Sequence, residues 1–270
     1  MDAVIKMEDN MIRLIATDMD GTLLNSKGEL SSRFYDVFNE LKAKNIVFAA
    51  ASGRQYFTLV ENFKEVAEDM LFIAENGTYI AYKGKELAVY PLEREIAHEL
   101  IQRGRQIGVD IVLATSKGAF MESKNELFIK EVSKYYVKNQ VVDDLLQVEG
   151  DILKVTICDF KGAEAHSYEA FKDLAHKVQI CVAGEIWLDM MANGVNKGMA
   201  IRDIQHKLEI TYNETMVFGD YLNDLEMLES AYHSYAMANA HPKAKEVARF
   251  IAKSNDEEGV IEKIKEIIGL

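Results

Sequence analysis

Apolar runs alternate with amphipathic stretches along much of this chain, and the alternation predicts strands and helices in turn. The run MIRLIATD, residues 11–18, predicts a buried strand. Between residues 31 and 44, apolar residues recur at helical spacing and predict an amphipathic helix. The run NIVFAAA, residues 45–51, predicts a second buried strand. Units of this kind are typical of a parallel sheet covered by helices on both faces.

The pattern changes in the middle of the chain. Asn76-Gly77 lies between two short apolar runs and predicts a hairpin. Beyond it, the pattern predicts a helix over 93–107, a hairpin within 109–123, a strand in ILKVTICDF and a helix over 163–178. Such a mixture is typical of an α+β unit.

Strand and helix alternate again near the carboxyl terminus, where an apolar strand is predicted at 216–218 and a helix after it. We therefore predict an α/β fold with a doubly wound, Rossmann-like parallel sheet as its core. The core would comprise residues 1–83 and 188–270. An inserted α+β cap domain would comprise residues 84–187.

Composition and charge narrow the classes of function. The chain has 270 residues, of which 49% are apolar, so it is long enough to bury a large core. Its formal net charge is −13, which repels nucleic acid and anionic membrane surfaces. There is no basic, apolar leader and no apolar stretch of about 18 residues, so we expect a soluble cytoplasmic protein. The two cysteines lack the spacing of a disulfide framework or a metal site.

Polar residues follow several predicted strands, at the end of an open parallel sheet where ligands bind. They are Asp18 and Asp20 after the first strand, Ser52 and Gly53 after the second, and Asp220, Asn223 and Asp224 after the strand at 216–218, with Lys197 at the start of a helix. The four aspartates of this set would repel one another in one crevice unless a cation lay between them. Mg²⁺ suits such a site because it prefers carboxylate oxygens and shares a substrate phosphate.

The spacing of Asp18 and Asp20 also indicates chemistry. Residues two apart in extended backbone point the same way, so both carboxyls can address one substrate. One carboxylate can attack phosphorus while the other transfers protons. To act as an acid near pH 7, Asp20 would need a pKa well above about 3.9. A serine hydroxyl at Ser52, Lys197 and loop N–H groups would neutralise the phosphate.

Four segments resemble the four ordered motifs of the haloacid dehalogenase superfamily. They are DMDGTLL at 18–24, ASGR at 51–54, Lys197, and GDYLNDLEML at 219–228. Their order, with an insertion between the second and third motifs, is similar to that of the Cof-type sugar-phosphatase branch. The resemblance covers the whole chain and implies a core of the haloacid dehalogenase type with a large α/β cap.

The resemblance also implies a role for each matched residue. The implied catalytic residues are Asp18 as nucleophile and Asp20 as general acid and base, and the implied metal ligands are Asp18, the Asp20 carbonyl and Asp220, with Asp224 in support. The implied phosphate-binding residues are Ser52, Gly53, Lys197, Asn223 and Gly21. Arg54 is the last residue of the second motif, and no role is assigned to it.

We therefore expect a phosphoric monoester hydrolase that uses Mg²⁺ to hydrolyse small phosphorylated metabolites. Sugar phosphates are the expected class, and the reaction would pass through an aspartyl-phosphate. The alternatives are a phosphomutase and a sensor that binds Mg²⁺ and phosphorylated metabolites without turnover. The presence of both Asp18 and Asp20 favours catalysis over sensing.

Simpler explanations exist for single features. An isolated Asp-x-Asp after a strand is more often turn chemistry. A calcium loop over residues 18–29 is excluded because Leu23 occupies the position that needs glycine. Tyr135 and Tyr136 are interpreted as packing residues, and so is Trp187, with lining of a substrate pocket as its alternative.

Overall fold

The computed structural model describes residues 11–270. The strands are β1 (Leu14–Thr17), β2 (Val47–Ala51), β3 (Leu71–Ala74), β4 (Tyr79–Tyr82), β5 (Lys85–Val89), β6 (Asp110–Thr115), β7 (Gly118–Met121), β8 (Asn139–Val141), β9 (Ile152–Cys158), β10 (Val178–Val182), β11 (Trp187–Ala192), β12 (Thr215–Gly219), β13 (His233–Met237) and β14 (Phe250–Ala252). The α-helices are α1 (Arg33–Ala43), α2 (Tyr56–Asn62), α3 (Arg94–Ile107), α4 (Glu126–Val132), α5 (Tyr168–Phe171), α6 (Lys197–Leu208), α7 (Leu225–Leu228), α8 (Pro242–Val247) and α9 (Gly259–Ile268).

Within residues 11–270, the first sheet has eight strands in the order β14-β13-β12-β1-β2-β3-β4-β5. Every pair from β14 to β3 is parallel, and β4 and β5 add an antiparallel edge. The predicted α/β fold with a parallel core sheet is confirmed. Strand β1 lies between β12 and β2, with Leu14 opposite both Thr215 and Val47. The polar segments that follow these three strands therefore emerge side by side.

Apolar periodicity determines how helix α1 packs on this sheet. Its buried residues are Phe34, Val37, Phe38 and Leu41, as the helical spacing predicted. The ring of Phe34 lies 5.2 Å from that of Phe48 in β2 in an edge-to-face arrangement. All four residues of β1 are buried, which explains its uninterrupted apolar sequence.

In the part of the chain that the structure describes, the second sheet has six strands in the order β10-β11-β9-β6-β7-β8. All its pairs are antiparallel except β7 and β8. Helix α3 packs closely on it, because a Cβ at Gly104 would lie only 2.8 Å from the Ile111 side chain. The hairpins predicted around Asn76-Gly77 and within 109–123 are both formed, by β3 with β4 and β6 with β7.

The predicted helix over 163–178 is partly wrong. Helical turns over 163–174 are broken into short pieces, of which α5 is one. The chain then extends into β10, and Val178 pairs with Ala192 of β11. The β-branched residues of the run VQICV favour an extended strand, and pairing with β11 stabilises it.

The chain passes to the second sheet between Val89 and Asp110 and leaves it after Ala192. Two strands do not follow the limits predicted for the cap domain. Strand β5 lies inside the predicted cap but belongs to the first sheet, and β11 lies mostly inside the predicted core but belongs to the second sheet. The division into core residues 1–83 and 188–270 and cap residues 84–187 stays a prediction. Within residues 11–270, no helix combines the length and apolar character needed to cross a bilayer.

Candidate active site

The first and fourth motifs meet directly beyond the ends of β1 and β12. Asp18 follows β1, and its backbone N–H donates to the Phe218 carbonyl at 3.0 Å. In the loop after it, Gly21 has φ +77°, and a Cβ there would lie 2.4 Å from Asp220 Oδ2. The Thr22 hydroxyl donates to Asp220 Oδ1 at 2.8 Å. The loop therefore both makes room for the Asp220 carboxylate and orients it.

Lys197 supplies a cation beneath these carboxylates. It is fully buried at the start of α6, where the Asn196 side chain caps the helix by accepting from the Met199 N–H. Lys197 Nζ lies 2.5 Å from Asp18 Oδ1 and 2.7 Å from Asp224 Oδ1. Burial opposes the charged form, but these two carboxylates outweigh burial and raise the pKa of Lys197. Lys197 is therefore an ammonium shared by two aspartates.

Asp224 is held on both of its oxygens. While Oδ1 accepts from Lys197, Oδ2 accepts from the backbone N–H groups of Asp220 and Tyr221, at 2.9 and 3.1 Å. Gly219 is needed beside it, because a Cβ there would lie 2.6 Å from Asp224 Cβ. The Asp224 carboxylate thus supports the backbone of the fourth motif.

Three carboxylates form a compact acidic group. One oxygen each of Asp18, Asp220 and Asp224 lies within 4.8 Å of the others, so the three together could hold a metal ion. Burial raises the pKa of Asp18 well above its ordinary value, and Asp224 and Asp220 add to the shift against the lowering effect of Lys197. Burial and the Asp224 charge raise the pKa of Asp220 to about 7. Lys197 alone leaves negative charge in excess, and a hard divalent cation fits this donor set.

Asp20 lies outside that group and faces Arg54. The guanidinium donates from Nε to Asp20 Oδ2 at 2.9 Å and from Nη2 to Oδ1 at 2.5 Å. The Asp20 side chain is 48% exposed, whereas that of Arg54 is 11% exposed. Arg54 also lies over the ring of Tyr135, 5.4 Å from its centroid. Asp18 and Asp20 therefore have different partners and different access to solvent.

The second motif presents Ser52 and Gly53 at the end of β2. Ser52 is buried, and its N–H donates to the Ile73 carbonyl at 2.8 Å. A Cβ at Gly53 would lie 3.2 Å from Asn76 Nδ2, so a larger residue would crowd that amide. Asn76 Oδ1 in turn accepts from Asn223 Nδ2 at 3.1 Å. Asn76 thus links the second and fourth motifs.

A cavity of about 450 Å³ opens over these residues, between the two sheets. Of the predicted site residues, Asp18, Asp20, Gly21, Ser52, Gly53, Asp220 and Asn223 line it. Lys197 and Asp224 lie behind Asp18 and do not. The structure thus brings all nine predicted residues to one place.

The opposite wall comes from the second sheet and its helices. Tyr136 and Trp187 belong to a buried apolar cluster against which Tyr135 packs, as interpreted from the sequence, and all three also line the cavity. Tyr135 and Trp187 meet edge to face, with ring centroids 5.5 Å apart. Trp187 is 8% exposed, so packing and pocket lining coexist at this residue.

Several residues of the site were not identified from the sequence. They are Thr22, Arg54, Asn76, Lys154 and Asp189. Thr22 lies in the first motif and Arg54 in the second, so their positions next to Gly21 and Gly53 could have identified them. Asn76 was interpreted only as a turn residue, and its φ of +57° agrees with that interpretation while its side chain enters the site. Lys154 lies on β9, far along the chain from any motif, and Asp189 lies on β11, on the strand before the third motif.

Sequence comparisons relate this chain to known phosphatases. The family model for haloacid dehalogenase-like hydrolases matches residues 15–264. The chain is 32% identical over 267 residues to the 5-amino-6-(5-phospho-D-ribitylamino)uracil phosphatase YbjI of Escherichia coli, covering 95% of this chain and 96% of that protein. It is 26% identical over 238 residues to an HMP-PP phosphatase of Escherichia coli, with 86% of each covered.

A solved structure has the same fold as this chain. The structure of SMU.1108c from Streptococcus mutans superimposes with a TM-score of 0.90 at 31% identity, covering 96% of this chain and 100% of that one. The resemblance drawn from the four motifs is confirmed. The chain therefore belongs to the haloacid dehalogenase-like hydrolases, and within that family it is a phosphatase.

Proposed function

We propose that the protein is a Mg²⁺-dependent phosphatase that hydrolyses small phosphorylated metabolites through an aspartyl-phosphate on Asp18. The observation that carries the proposal is the acidic group of Asp18, Asp220 and Asp224, tied by Lys197 and open to the cavity through Asp18. Such a cluster needs a cation, and a phosphoryl group that shares this cation would lie against the Asp18 carboxylate.

Asp18 and Asp220 would hold the ion, with Asp224 supporting them. The space at Gly21 and the hydrogen bond from Thr22 both favour an Asp220 carboxylate fixed in one orientation. When bound, Mg²⁺ would offset the repulsion between the Asp18 carboxylate and the phosphoryl oxygens.

Asp18 is suited to be the nucleophile. Lys197 engages its Oδ1, which leaves Oδ2 for attack on phosphorus. As the new O–P bond forms, the bond from phosphorus to the leaving oxygen breaks, and that oxygen keeps the electron pair. A proton from Asp20 would neutralise the departing alkoxide. Asp20 would then accept a proton from the water that cleaves the aspartyl-phosphate.

Asp20 has the access that this role requires. Its half-exposed carboxyl lines the cavity, next to where a leaving group would lie. The pair with Arg54 holds the Asp20 carboxylate away from the acidic group. To act as the acid, Asp20 would have to leave Arg54, take a proton from water and donate it to the leaving oxygen. Arg54 is therefore proposed to position Asp20.

Hydrogen-bond donors for the phosphoryl oxygens would surround Asp18. We propose the Ser52 hydroxyl, the Asn223 amide, and the backbone N–H groups of Gly21 and Gly53, all at the cavity wall. Lys197 already contacts two carboxylates, and its third N–H would serve the phosphate.

The cavity favours a small leaving group. About 450 Å³ accommodates a sugar or a compound of similar size. The wall contributed by residues 131–187 combines the Tyr135 and Trp187 rings with polar groups such as Thr156. The Escherichia coli relative YbjI is named for a phosphorylated ribityl substrate, which supports a phosphorylated sugar or polyol as the substrate class here.

The test is hydrolysis of p-nitrophenyl phosphate by wild type, Asp18→Asn and the matched surface variant Asp36→Asn, with and without Mg²⁺. We expect wild type and Asp36→Asn to turn over only with Mg²⁺, and Asp18→Asn to lose activity by about 10⁴-fold or more. Full turnover in Asp18→Asn, or in metal-free wild type, would overturn the proposal. Assay with added sugar acceptors separates hydrolysis from phosphoryl transfer, and a panel of phosphorylated metabolites identifies the substrate.

A further inference from the structure

The backbone carbonyls of Ser52, Gly53 and Arg54 in the second motif each accept from a different donor. The Ser52 carbonyl accepts from the Asn76 N–H at 2.9 Å, and the Arg54 carbonyl accepts from the Glu75 N–H at 3.0 Å. Both donors belong to the turn between β3 and β4 in the first sheet. The carbonyl between them, that of Gly53, accepts from Lys154 Nζ at 2.9 Å. The middle carbonyl thus depends on a side chain from the second sheet.

Lys154 is built into a set of buried contacts. It lies on β9 and is 1% exposed. Besides the Gly53 carbonyl, its Nζ donates to Asp189 Oδ2 at 2.9 Å and forms an ion pair with Glu75 Oε2, also at 2.9 Å. The ammonium of Lys154 is thus engaged within the protein, although the residue forms part of the cavity wall.

The surrounding side chains hold Lys154 from both sheets. Asp189 Oδ1 accepts from the Thr156 hydroxyl at 2.7 Å, and Asp189 Oδ2 accepts from Asn76 Nδ2 at 2.5 Å. The charges of Asp189 and Glu75 outweigh burial and raise the pKa of Lys154, so the side chain is an ammonium. Its position is therefore well defined between the two sheets.

Holding the Gly53 carbonyl also determines the orientation of a neighbouring N–H. In a trans peptide, the N–H of Arg54 points opposite to the C=O of Gly53. That N–H donates to the Ser52 Oγ at 3.2 Å. A Ser52 oxygen that accepts from the backbone keeps its own O–H for donation to a phosphoryl oxygen. The contacts thus run from Lys154 through one peptide group to the Ser52 hydroxyl.

We propose that Lys154 is a positioning residue of the phosphoryl site: it fixes the Gly53–Arg54 peptide, and that peptide orients the Ser52 hydroxyl toward the phosphoryl group. This inference rests on the proposed function. It means that a residue of the second sheet, remote from all four motifs, determines how the protein binds phosphate itself, whatever the leaving group.

The test is competitive inhibition by inorganic phosphate of Mg²⁺-dependent p-nitrophenyl phosphate hydrolysis. Lys154→Met should raise the inhibition constant of phosphate about tenfold. The exposed Lys161→Met, just beyond the same strand, is the matched control and should leave it unchanged. Ser52→Ala should raise it by a similar factor. In Ser52→Ala, adding Lys154→Met should then raise it little further, because both changes remove the same contact.

A purely structural role for Lys154 gives a different result. The effects of Lys154→Met and Ser52→Ala on the phosphate inhibition constant would then multiply, or Lys154→Met would lower only the amount of folded protein. Either outcome overturns the proposal. An unchanged inhibition constant in Lys154→Met also overturns it, while loss of turnover in Asp18→Asn would still support the proposed function.

Removing one buried charge alone can prevent folding. The triple variant Lys154→Met, Glu75→Gln, Asp189→Asn removes all three charges together and is the second test. It should fold and retain the raised inhibition constant. If it folds and binds phosphate as wild type does, or if neither variant folds, Lys154 serves stability and the proposal is wrong.

Discussion

Replacement of Gly21 by alanine should weaken metal binding far more than it weakens the fold. Gly21 has φ +77°, and Gly28 in the same loop has φ +76°. An alanine at such an angle costs about 1–2 kcal/mol. Loss of freedom in the unfolded chain offsets about 0.4–1 kcal/mol of this. Gly21→Ala and the control variant Gly28→Ala should therefore each lose on the order of 1 kcal/mol of unfolding free energy.

The two positions differ in what a new methyl group meets. At Gly28 a Cβ would meet no atom of residues 11–270 within 4 Å, whereas at Gly21 the Cβ would lie 2.4 Å from Asp220 Oδ2. The oxygen has to move by about 0.6 Å to reach even the shortest contact that Cβ atoms make. Mg²⁺ demands oxygen ligands at about 2.0–2.1 Å in near-ideal geometry, so a displacement of this size disturbs its coordination.

Mg²⁺ titration of p-nitrophenyl phosphate hydrolysis measures this effect, with thermal unfolding recorded in parallel. We expect the half-saturating Mg²⁺ concentration to rise about 10- to 100-fold in Gly21→Ala, by analogy with changes that disturb ligand orientation. In Gly28→Ala it should stay within about twofold of wild type, at a similar loss of thermal stability. Equal Mg²⁺ requirements in the two variants would refute the placement of the ion at Asp220.

Three further outcomes follow from single contacts. Thr22→Val removes the donor 2.8 Å from Asp220 Oδ1 and should raise the half-saturating Mg²⁺ concentration about tenfold in the same titration; an unchanged value would contradict the role of Thr22. Arg54→Met releases Asp20 and should lower kcat about tenfold with an unchanged Mg²⁺ requirement, in steady-state kinetics at saturating metal. A wild-type kcat would show that Asp20 needs no such partner. Burial raises the pKa of the Cys158 thiol to about 12, so a thiol reagent at pH 8 should label it in unfolded but not in folded protein. Rapid labelling of Cys158 in the native protein would contradict that burial.

The convergence of the acidic group could be predicted because it depends on sheet geometry. Asp18 and Asp220 follow parallel strands that pair directly, with Thr17 opposite Phe218. Apolar runs reveal such strands in the sequence, and their carboxyl ends necessarily share one edge. The helix start at Lys197 and the turn at Asn76 were likewise visible as local patterns.

Contacts across the two sheets could not be predicted in this way. Lys154 lies in an apolar strand and faces Asp189 on a neighbouring strand, but nothing local relates either residue to Gly53. Their meeting depends on how the second sheet lies against the first. The helix predicted over 163–178 stops short of Val178 for a related reason, since Val178 pairs with Ala192 of β11.

The two aspartates of the first motif show how position alone fails to define a role. Asp18 and Asp20 are chemically identical and two residues apart, yet Asp18 is 7% exposed and held by Lys197, while the Asp20 side chain is 48% exposed and held by Arg54. A buried carboxylate fixed on one oxygen suits in-line attack, because its free oxygen has few orientations. A half-exposed carboxylate such as Asp20 suits proton transfer, because it must exchange protons with water in every cycle. The surrounding cations, rather than the aspartates themselves, thus favour Asp18 as nucleophile and Asp20 as acid and base.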